Sequence, residues 1–201
     1  MQAPTIIQKL FPSITWRFSG AEKKIYLTFD DGPIPEITPW VLELLRSYNA
    51  KATFFCIGNN VLKNNVIYQE ILNEGHQVGN HTHNHLNGWN VKNKNYFEDI
   101  EECRKHVKSN LFRPPYGKIK PSQIKHLKEN YRIIMWDVLS QDYDQDRTAE
   151  QCLNSVIKVS SAGSVIVFHD SLKAEKRLRG ALPLVLEHFK QRGFEFARIE
   201  A

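Results

Sequence analysis

Three histidines alternate in the segment 79-GNHTHNHLN-87, at His81, His83 and His85. Imidazole is the commonest metal-ligating side chain in proteins, so the segment indicates a metal site. His81 and His85 share one face if the chain turns helically after Asn80, whereas all three histidines share a face only in a strand. The helical spacing is favoured here, and it leaves His83 in a solvated or supporting position.

Two adjacent carboxylates, Asp30 and Asp31, follow an apolar run in the motif 28-TFDDGP-33. Their charges repel unless a cation or a proton lies between them, although one aspartate could instead cap the following helix. Asp31 with His81 and His85 makes a His₂–carboxylate set, which leaves a position for water as in catalytic metal sites. We expect a divalent metal, with Zn²⁺ as the default ion and Co²⁺, Ni²⁺ or Mn²⁺ as acceptable ones.

Composition bounds the class of protein. The chain has 201 residues, of which 41% are hydrophobic and 24% charged, and this suits one substantial core. Its apolar runs are too short to span a bilayer, and its first residues lack the pattern of a signal peptide. We therefore expect a cytoplasmic protein, with a secreted or cell-envelope domain that has lost its leader as the alternative. Three widely spaced cysteines without a CxxC motif fit a reducing compartment, with Cys56 buried.

The charge balance is mildly basic. The net charge is +5, with a modest basic cluster at Lys173, Lys176, Arg177 and Arg179. Such basicity more often serves solubility or weak attraction to anionic polymers than nucleic-acid binding. We therefore expect no nucleic-acid partner and leave the oligomeric state open.

Apolar strand-like runs alternate with amphipathic segments of helical spacing. This alternation predicts βα units around a mostly parallel sheet within one domain. The predicted strands are 25–29, 52–57, 76–79, 111–112, 132–136, 164–168 and 194–199. The predicted helix faces are Val41, Leu42, Leu44, Leu45 and Tyr48; Val66, Ile67, Ile71 and Leu72; Phe97, Ile100, Cys103 and Val107; and Leu184, Val185, Leu186 and Phe189.

Chemically capable side chains recur where the predicted strands end. Because the carboxyl ends of parallel strands meet at one edge of a sheet or barrel, we expect these side chains to share a rim. They are Asp30, Asp31, His81, Arg113, Asp137, His169 and Asp170.

Five motifs follow one another in order: T-F-D-D-G-P at 28–33, H-T-H-N-H at 81–85, R-P-P-Y at 113–116, W-D-V-L-S-Q-D-Y at 136–143 and I-V-F-H at 166–169. On these motifs the chain resembles the polysaccharide deacetylases of carbohydrate esterase family 4, the chitooligosaccharide deacetylase homology domain, from about residue 24 to residue 199. The resemblance implies an α/β fold, a distorted, incomplete (β/α) barrel with about seven parallel strands, over residues 24–201. Residues 1–23 would form an N-terminal extension packed on this catalytic domain.

The resemblance also implies roles for individual residues by matching position. Asp30 would be the general base, held by Arg113 through a bidentate ion pair, and His169 would be the general acid. The backbone N–H of Tyr116 would bind the oxyanion. The metal ligands would be Asp31, His81 and His85, and the substrate-binding residues would be Pro115, Tyr116, Trp136, Tyr143 and Ile166.

The implied activity is metal-dependent removal of N-acetyl groups from an N-acetylglucosamine-containing poly- or oligosaccharide, of the chitooligosaccharide or peptidoglycan type. Two alternatives stay open: a weakly active or inactive glycan-binding member, and an amidohydrolase or deformylase that acts on another small amide. The chain leaves little length for inserted loops, so we expect an open groove. Trp89, Tyr116 and Tyr143 are its candidate aromatic platforms, although Trp89 equally suits loop packing.

Leu139, Tyr143 and Ile166 depart from the family pattern, and Leu139 is the departure that bears on catalysis. The fourth motif commonly carries an aspartate where this chain has Leu139, and an aliphatic side chain cannot stabilise a protonated histidine. We therefore expect the pKa of His169 to be lower than it would be beside a carboxylate. Asp137, Asp142 and Asp170 are the candidates to replace the missing carboxylate.

Overall fold

The computed structural model describes residues 5–201 as an alternation of strands and helices. The strands are β1 Lys24–Asp30, β2 Thr53–Cys56, β3 Gln77–Asn80, β4 Leu111–Phe112, β5 Arg132–Ile133, β6 Val138–Leu139, β7 Val165–His169 and β8 Glu195–Phe196. The helices are α1 Thr5–Leu10, α2 Ile37–Ser47, α3 Gly58–Lys63, α4 Asn65–Asn73, α5 Asn93–His106, α6 Pro121–Leu127, α7 Ala149–Ile157 and α8 Glu175–Lys190. A 3₁₀ turn covers Pro115–Gly117.

Seven strands form one curled sheet, and every pair of neighbours in it is parallel. Their order is β5-β4-β3-β2-β1-β7-β6, and β8 pairs in parallel with the start of β1. Parallel neighbours need long crossover connections, and helices supply most of them. The predicted α/β fold, a distorted, incomplete (β/α) barrel of about seven parallel strands, is confirmed.

Strand β1 lies at the centre of the sheet, between β2 and β7. Successive side chains of a strand point to opposite faces. Ile25, Leu27 and Phe29 are fully buried in the main hydrophobic core with side chains of α2 and α8, where each contributes about 1.5–3 kcal/mol. Thr28 and Asp30 face the other side, toward the inside of the half-barrel. One strand therefore anchors the sheet on the helices and delivers polar groups to the interior.

Some elements agree with the sequence patterns, and others were not predicted. The four predicted helix faces lie on or beside α2, α4, α5 and α8, although Val66 and Leu184 are exposed. Helices α1, α3, α6 and α7 and strand β6 were not predicted. The predicted strand 132–136 ends at Ile133, and the chain starts β6 only at Val138. Strand β6 has two residues, too few for a hydrophobic period to show, whereas the equally short β4 was predicted at 111–112.

The segment before β1 contacts the sheet. Ile14 is buried in a second hydrophobic cluster with Phe112 and Ile133. Thr15 forms a parallel bridge with Ile134, and its carbonyl accepts the backbone N–H of Met135 at 2.8 Å. Arg17 forms an antiparallel bridge with Ser164, and the Phe18 backbone N–H donates to the Gly163 carbonyl at 2.8 Å. The division into an extension over 1–23 and a domain over 24–201 stays a prediction.

All three cysteines are free and buried, as predicted for Cys56. The reducing compartment and the cytoplasmic location stay predictions. Within residues 5–201, no helix combines the length and the apolar character needed to cross a membrane.

Candidate active site

The carboxyl ends of β1 and β7 lie side by side, because Asp30 is opposite His169 in the parallel register. Strand β3 leads directly into His81, and β4 leads directly into Arg113. The chain therefore brings polar side chains from distant parts of the sequence to one rim. They border a cavity of about 340 Å³, whose lining includes Asp30, Asp31, His81, His85 and His169.

Asp31, His81 and His85 form a compact set of ligand atoms. Each residue offers one such atom, and these atoms lie within 4.8 Å of one another. Asp31 Oδ1 is 3.3 Å from His85 Nε2 and 3.8 Å from His81 Nε2. This oxygen is buried and accepts no hydrogen bond from the described residues. A buried carboxylate oxygen without a donor, facing two imidazole nitrogens, fits a divalent cation.

The protonation states around this set also suit a cation. His81 Nδ1 lies 2.8 Å from the Arg113 carbonyl oxygen, so Nδ1 carries the proton that it donates and the Nε2 lone pair faces Asp31. Burial lowers the pKa of His81, which lies at about 4 despite the opposing charges of Asp30 and Asp31. Burial raises the pKa of Asp31, but the nearby imidazoles, His85 first, outweigh it and hold that pKa well below its usual range. At neutral pH one ligand is therefore a neutral imidazole and another an ionised carboxylate.

The histidine segment is a loop and not the helical turn that the spacing predicts. Thr82 and His85 have φ angles of 63° and 56°, which a helix does not allow. The Asp99 carboxylate of α5 stabilises the loop, because its Oδ2 accepts the backbone N–H groups of His83 at 2.7 Å and Asn84 at 3.0 Å. The reversed backbone, and not a helix face, brings His85 to His81. The ring of His83 lies instead beside His106, with centroids 5.6 Å apart.

The turn after β1 orients Asp31. Asp31 has a φ of 86°, and the next backbone N–H, that of Gly32, donates to Asp170 Oδ1 at 3.0 Å. A Cβ on Gly32 would overlap Asp170 Oδ2, so this position requires glycine. The Thr38 hydroxyl donates to the same Oδ2 at 2.6 Å. Neither Asp30 nor Asp31 caps the following helix, because α2 begins after Glu36.

Arg113 is fully buried and holds Asp30 through one nitrogen. Its Nη1 donates to Asp30 Oδ1 at 2.7 Å and to the Thr28 hydroxyl at 2.7 Å. Its Nε and Nη2 donate to the carbonyls of Ile134 at 3.1 Å and Met135 at 3.0 Å. The predicted bidentate ion pair is therefore wrong, because backbone carbonyls occupy the rest of the guanidinium. The other Asp30 oxygen, Oδ2, lies 4.0 Å from His81 Nε2.

His169 has a carboxylate partner, and the partner is Asp142. His169 Nδ1 lies 2.7 Å from Asp142 Oδ1, and its backbone N–H donates to Oδ2 at 2.8 Å. Burial opposes protonation, but the Asp142 charge and hydrogen bond outweigh it and raise the pKa of His169 to about 9. The expectation of a lower pKa beside Leu139 is therefore wrong. Leu139 lines the cavity, and Asp142, three residues later, pairs with His169 in place of the missing aspartate.

The other two candidate carboxylates lie elsewhere. Asp137 Oδ1 accepts the Val165 backbone N–H at 2.7 Å, and Oδ2 accepts the Ser164 hydroxyl at 2.9 Å. Asp137 is thus at the start of β7, and its predicted place on the rim is wrong, because it precedes the short strand β6 instead of ending a strand. Asp170 is close to the site but supports the turn at Gly32.

Three of the predicted substrate-binding residues line the cavity, and two do not. Trp136, Tyr143 and Tyr116 are in the lining. Ile166 is fully buried in the main core, whereas Val167 lines the cavity, since alternate residues of β7 face opposite sides and Val167 shares the face of His169. Pro115 is buried in its 3₁₀ turn. Residues two apart in a strand share a face, so the spacing from His169 could have indicated Val167, and not Ile166, as the cavity residue.

The remaining aromatic and basic candidates are spread out. Trp89 is 57% exposed, and its indole N–H donates to the Ile119 carbonyl at 3.1 Å, so a packing role and a platform role both remain compatible with it. The basic cluster does not form one surface. Arg177 is buried, and Arg179 forms an ion pair with Glu175 at 2.9 Å. Lys173 lines the cavity, which the sequence analysis missed.

Comparison with known proteins defines the class. The sequence model of the family described as polysaccharide deacetylase matches residues 19–131, more than half of the chain. The chain therefore belongs to the polysaccharide deacetylases of carbohydrate esterase family 4, and the predicted membership is confirmed. The relatives are named deacetylases, so the predicted enzyme class, a hydrolase, is confirmed as well.

Particular relatives cover nearly the whole chain. A peptidoglycan-N-acetylglucosamine deacetylase of Bacillus cereus is 36% identical over 193 residues, covering 92% of this chain and 91% of the relative. A chitooligosaccharide deacetylase of Azorhizobium caulinodans is 32% identical over 200 residues, covering 89% and 93%. The crystal structure of the Bc1960 peptidoglycan N-acetylglucosamine deacetylase, in complex with 4-naphthalen-1-yl-N-oxidanyl-benzamide, has a TM-score of 0.87 at 31% identity, covering 98% of this chain and 95% of that one. The peptidoglycan deacetylase PdaC of Bacillus subtilis has a TM-score of 0.79 at 28% identity, covering 90% of each chain.

Proposed function

We propose that the protein is a divalent-metal-dependent N-deacetylase of N-acetylglucosamine-containing glycans, of the peptidoglycan or chitooligosaccharide type. One observation carries the proposal: Asp31, His81 and His85 present ligand atoms within 4.8 Å of one another in the cavity that also holds Asp30 and His169. The names of the relatives support the substrate class, because they include both a peptidoglycan and a chitooligosaccharide deacetylase.

Asp31, His81 and His85 would hold the cation, with Zn²⁺ as the first candidate and Co²⁺, Ni²⁺ or Mn²⁺ as alternatives. When bound, such an ion supplies positive charge that polarises a carbonyl and acidifies nearby water. The chain prepares the site for it. The His81 tautomer is set by the Arg113 carbonyl, and Asp31 is held by the turn at Gly32.

Asp30 is the general base of the proposed reaction. Arg113 binds Oδ1, while Oδ2 lies 4.0 Å from His81 Nε2, on the side of the ligand set. From there Oδ2 takes a proton from the water that attacks the amide carbonyl. The backbone N–H of Tyr116 binds the oxyanion that forms. The closeness of Tyr116 to the ligand set supports this role, since the rings of Tyr116 and His85 have centroids 4.6 Å apart.

His169 is the general acid. Its Nδ1 is bound to Asp142, and the charge of that carboxylate keeps the ring protonated at neutral pH. Nε2 is thus available to protonate the sugar amine as the C–N bond breaks, and acetate and a free amine are released. The glycan-binding alternative assumed that Leu139 leaves His169 without a carboxylate partner, and Asp142 provides that partner.

The test is acetate release from N-acetylglucosamine oligomers and from peptidoglycan fragments, with products identified by mass spectrometry. Chelator treatment should abolish release, and Zn²⁺, Co²⁺, Ni²⁺ or Mn²⁺ should restore it. His81→Ala should remove both metal uptake and hydrolysis. His83→Gln is the matched control from the same loop and should retain both. Release that survives chelation, or equal losses in the two variants, would contradict the proposal.

A further inference from the structure

We propose that Lys173 forms a subsite for a carboxylate on the sugar next to the one that is deacetylated, so that the protein prefers acidic to neutral N-acetylated glycans. The inference rests on the proposed deacetylase function and adds a specificity-determining residue to it. Three observations carry it: the position of Lys173 in the cavity, the way its backbone is held, and the absence of a partner charge within the described chain.

Lys173 lines the same cavity as the ligand set and the acid histidine. Its Nζ lies 5.8 Å from the centre of the Tyr143 ring, and that ring lies edge-on to His169, with centroids 5.2 Å apart. The order from the reacting centre outward is therefore His169, Tyr143, Lys173, and the lysine is exposed whereas His169 is largely enclosed. A glycan that places its amine at His169 extends past the Tyr143 ring to the ammonium group.

A buried guanidinium fixes the lysine relative to the catalytic pair. Arg177 donates through Nε to the Asp142 carbonyl at 2.6 Å and through Nη2 to the Lys173 carbonyl. The Ala174 N–H closes a turn on the Ser171 carbonyl at 3.0 Å. The same arginine therefore ties the Lys173 backbone to the segment that carries Asp142 and Tyr143. The backbone of Lys173 is therefore fixed relative to the site, while its exposed side chain reaches the cavity.

The acidic groups of the cavity already have partners, and none of them forms an ion pair with Lys173. Asp30 is bound to Arg113, Asp142 is bound to His169, and Asp31 belongs to the ligand set. Among residues 5–201, no carboxylate forms an ion pair with Lys173. A lysine ammonium is a compact point charge on a flexible stem, so it suits a carboxylate of variable orientation.

The neighbouring Tyr143 ring indicates that the group bound by Lys173 belongs to an acidic sugar. The Lys173 ammonium lies over the Tyr143 ring in the wall of the cavity that the sugar enters, and the carboxylate must therefore be carried close to a sugar ring. Glycan strands of peptidoglycan meet this requirement, because a lactyl ether with a carboxylate sits on every second sugar. Chitin oligomers carry no such group. The geometry therefore favours the peptidoglycan type of the proposed substrates.

Three tetrasaccharides separate charge from shape, with the zinc-loaded full chain as the enzyme. One is a neutral N-acetylglucosamine oligomer, one alternates N-acetylglucosamine with N-acetylmuramic acid, and one is the same acidic glycan with its carboxylates methyl-esterified. We expect the parent to prefer the acidic glycan to its ester by about three- to tenfold in kcat/KM, as for a partly exposed ion pair. Lys173→Met should remove that preference through KM and leave kcat/KM on the two neutral glycans within about twofold.

Two variants control the measurement. Lys173→Arg keeps the charge and should keep the preference. Lys176→Met removes a lysine of α8 that lies outside the cavity lining, and it should behave like the parent. Equal losses of Lys173→Met on all three glycans, or a parent that does not distinguish the acid from its ester, would overturn the subsite.

Failure of the deacetylase function has a different signature, since the parent would then release acetate from none of the glycans. In that case calorimetry of glycan binding decides the subsite by itself. Tighter binding of the acidic glycan than of its ester, lost in Lys173→Met, supports it, and equal binding of the two glycans overturns it.

Discussion

His169 makes two hydrogen bonds to one carboxylate, that of Asp142: its ring Nδ1 at 2.7 Å from Oδ1 and its backbone N–H at 2.8 Å from Oδ2. The two residues belong to different parts of the half-barrel, since His169 is the last residue of β7 and Asp142 lies in the loop after β6. Because both the ring and the backbone of the histidine are held, the proposed acid and its counter-charge stay together in one orientation. The raised pKa of His169 therefore depends on its contact with Asp142.

Asp142→Asn tests that pair. The carboxylate raises the pKa of His169 to about 9, so its loss lowers that pKa. An acid works only while it is protonated. As the pH rises, the activity of the variant should therefore begin to fall at a lower pH than the activity of the parent. We expect the basic limb of the kcat/KM–pH profile to move toward neutrality, with a loss of roughly tenfold or more at pH 8. Asp144→Asn, two residues later, should leave the profile unchanged. An unshifted basic limb in Asp142→Asn would show that another group sets it.

Metal binding should stabilise the folded chain. The ligand atoms of Asp31, His81 and His85 come from two segments that meet only in the folded state, so an ion that binds there favours folding. Zinc at about a thousand times its Kd should raise the free energy of unfolding by about 4 kcal/mol. Chemical denaturation with and without zinc measures this. Asp31→Asn and His85→Ala should show little of the increase, and a full increase in either variant would rule that residue out as a ligand.

Thr38→Val should loosen the turn that orients Asp31. The Thr38 hydroxyl donates to Asp170 Oδ2 and accepts the Ile34 backbone N–H, and all of these groups are buried or nearly so. Removing it leaves a buried acceptor and a donor unpaired, which costs about 1–3 kcal/mol. Urea unfolding of the metal-free protein measures the loss, and zinc titration should show weaker binding. Thr38→Ser keeps the hydroxyl and should retain most of both. A Val variant as stable as the parent would refute the role of this hydrogen bond.

Stability should fall in mild acid because of His76, which is far from the ligand set. His76 is buried, and its Nδ1 accepts the Ala52 backbone N–H at 3.1 Å. Burial, with help from Lys51, lowers its pKa from 6.5 to about 4. The unfolded chain therefore binds the proton first, and stability present above about pH 6.5 is lost as the pH falls toward 4. The contribution lost between pH 8 and pH 5 is roughly 2 kcal/mol.

The difference between the parent and His76→Asn isolates this contribution, since other buried histidines such as His81 titrate in the same direction. The variant keeps an acceptor for the Ala52 N–H and has no proton to gain. We expect its free energy of unfolding to depend less on pH between 8 and 5. Parallel pH profiles of the two proteins would contradict the prediction.

The sequence by itself determined the features that are local. The βα alternation follows from hydrophobic spacing within ten to twenty residues, and it predicts α2, α4, α5 and α8 without knowledge of the fold. The five motifs determined the family and, with it, which residues would face one another. The structure brings Asp31, His81 and His85 together where the sequence analysis expected them, although by a loop and not a helical turn.

Only the tertiary structure decided which of several equivalent side chains reaches the site. Asp137 and Asp142 differ by five positions, and the two-residue strand β6 between them sends one carboxylate to the start of β7 and the other to its end. The side-chain parity of β7 places Val167 in the cavity and Ile166 in the core. Arg113 donates through Nε and Nη2 to two backbone carbonyls that no sequence pattern records. These outcomes depend on strand register and on contacts between distant segments, and neither is a property of any short stretch of sequence.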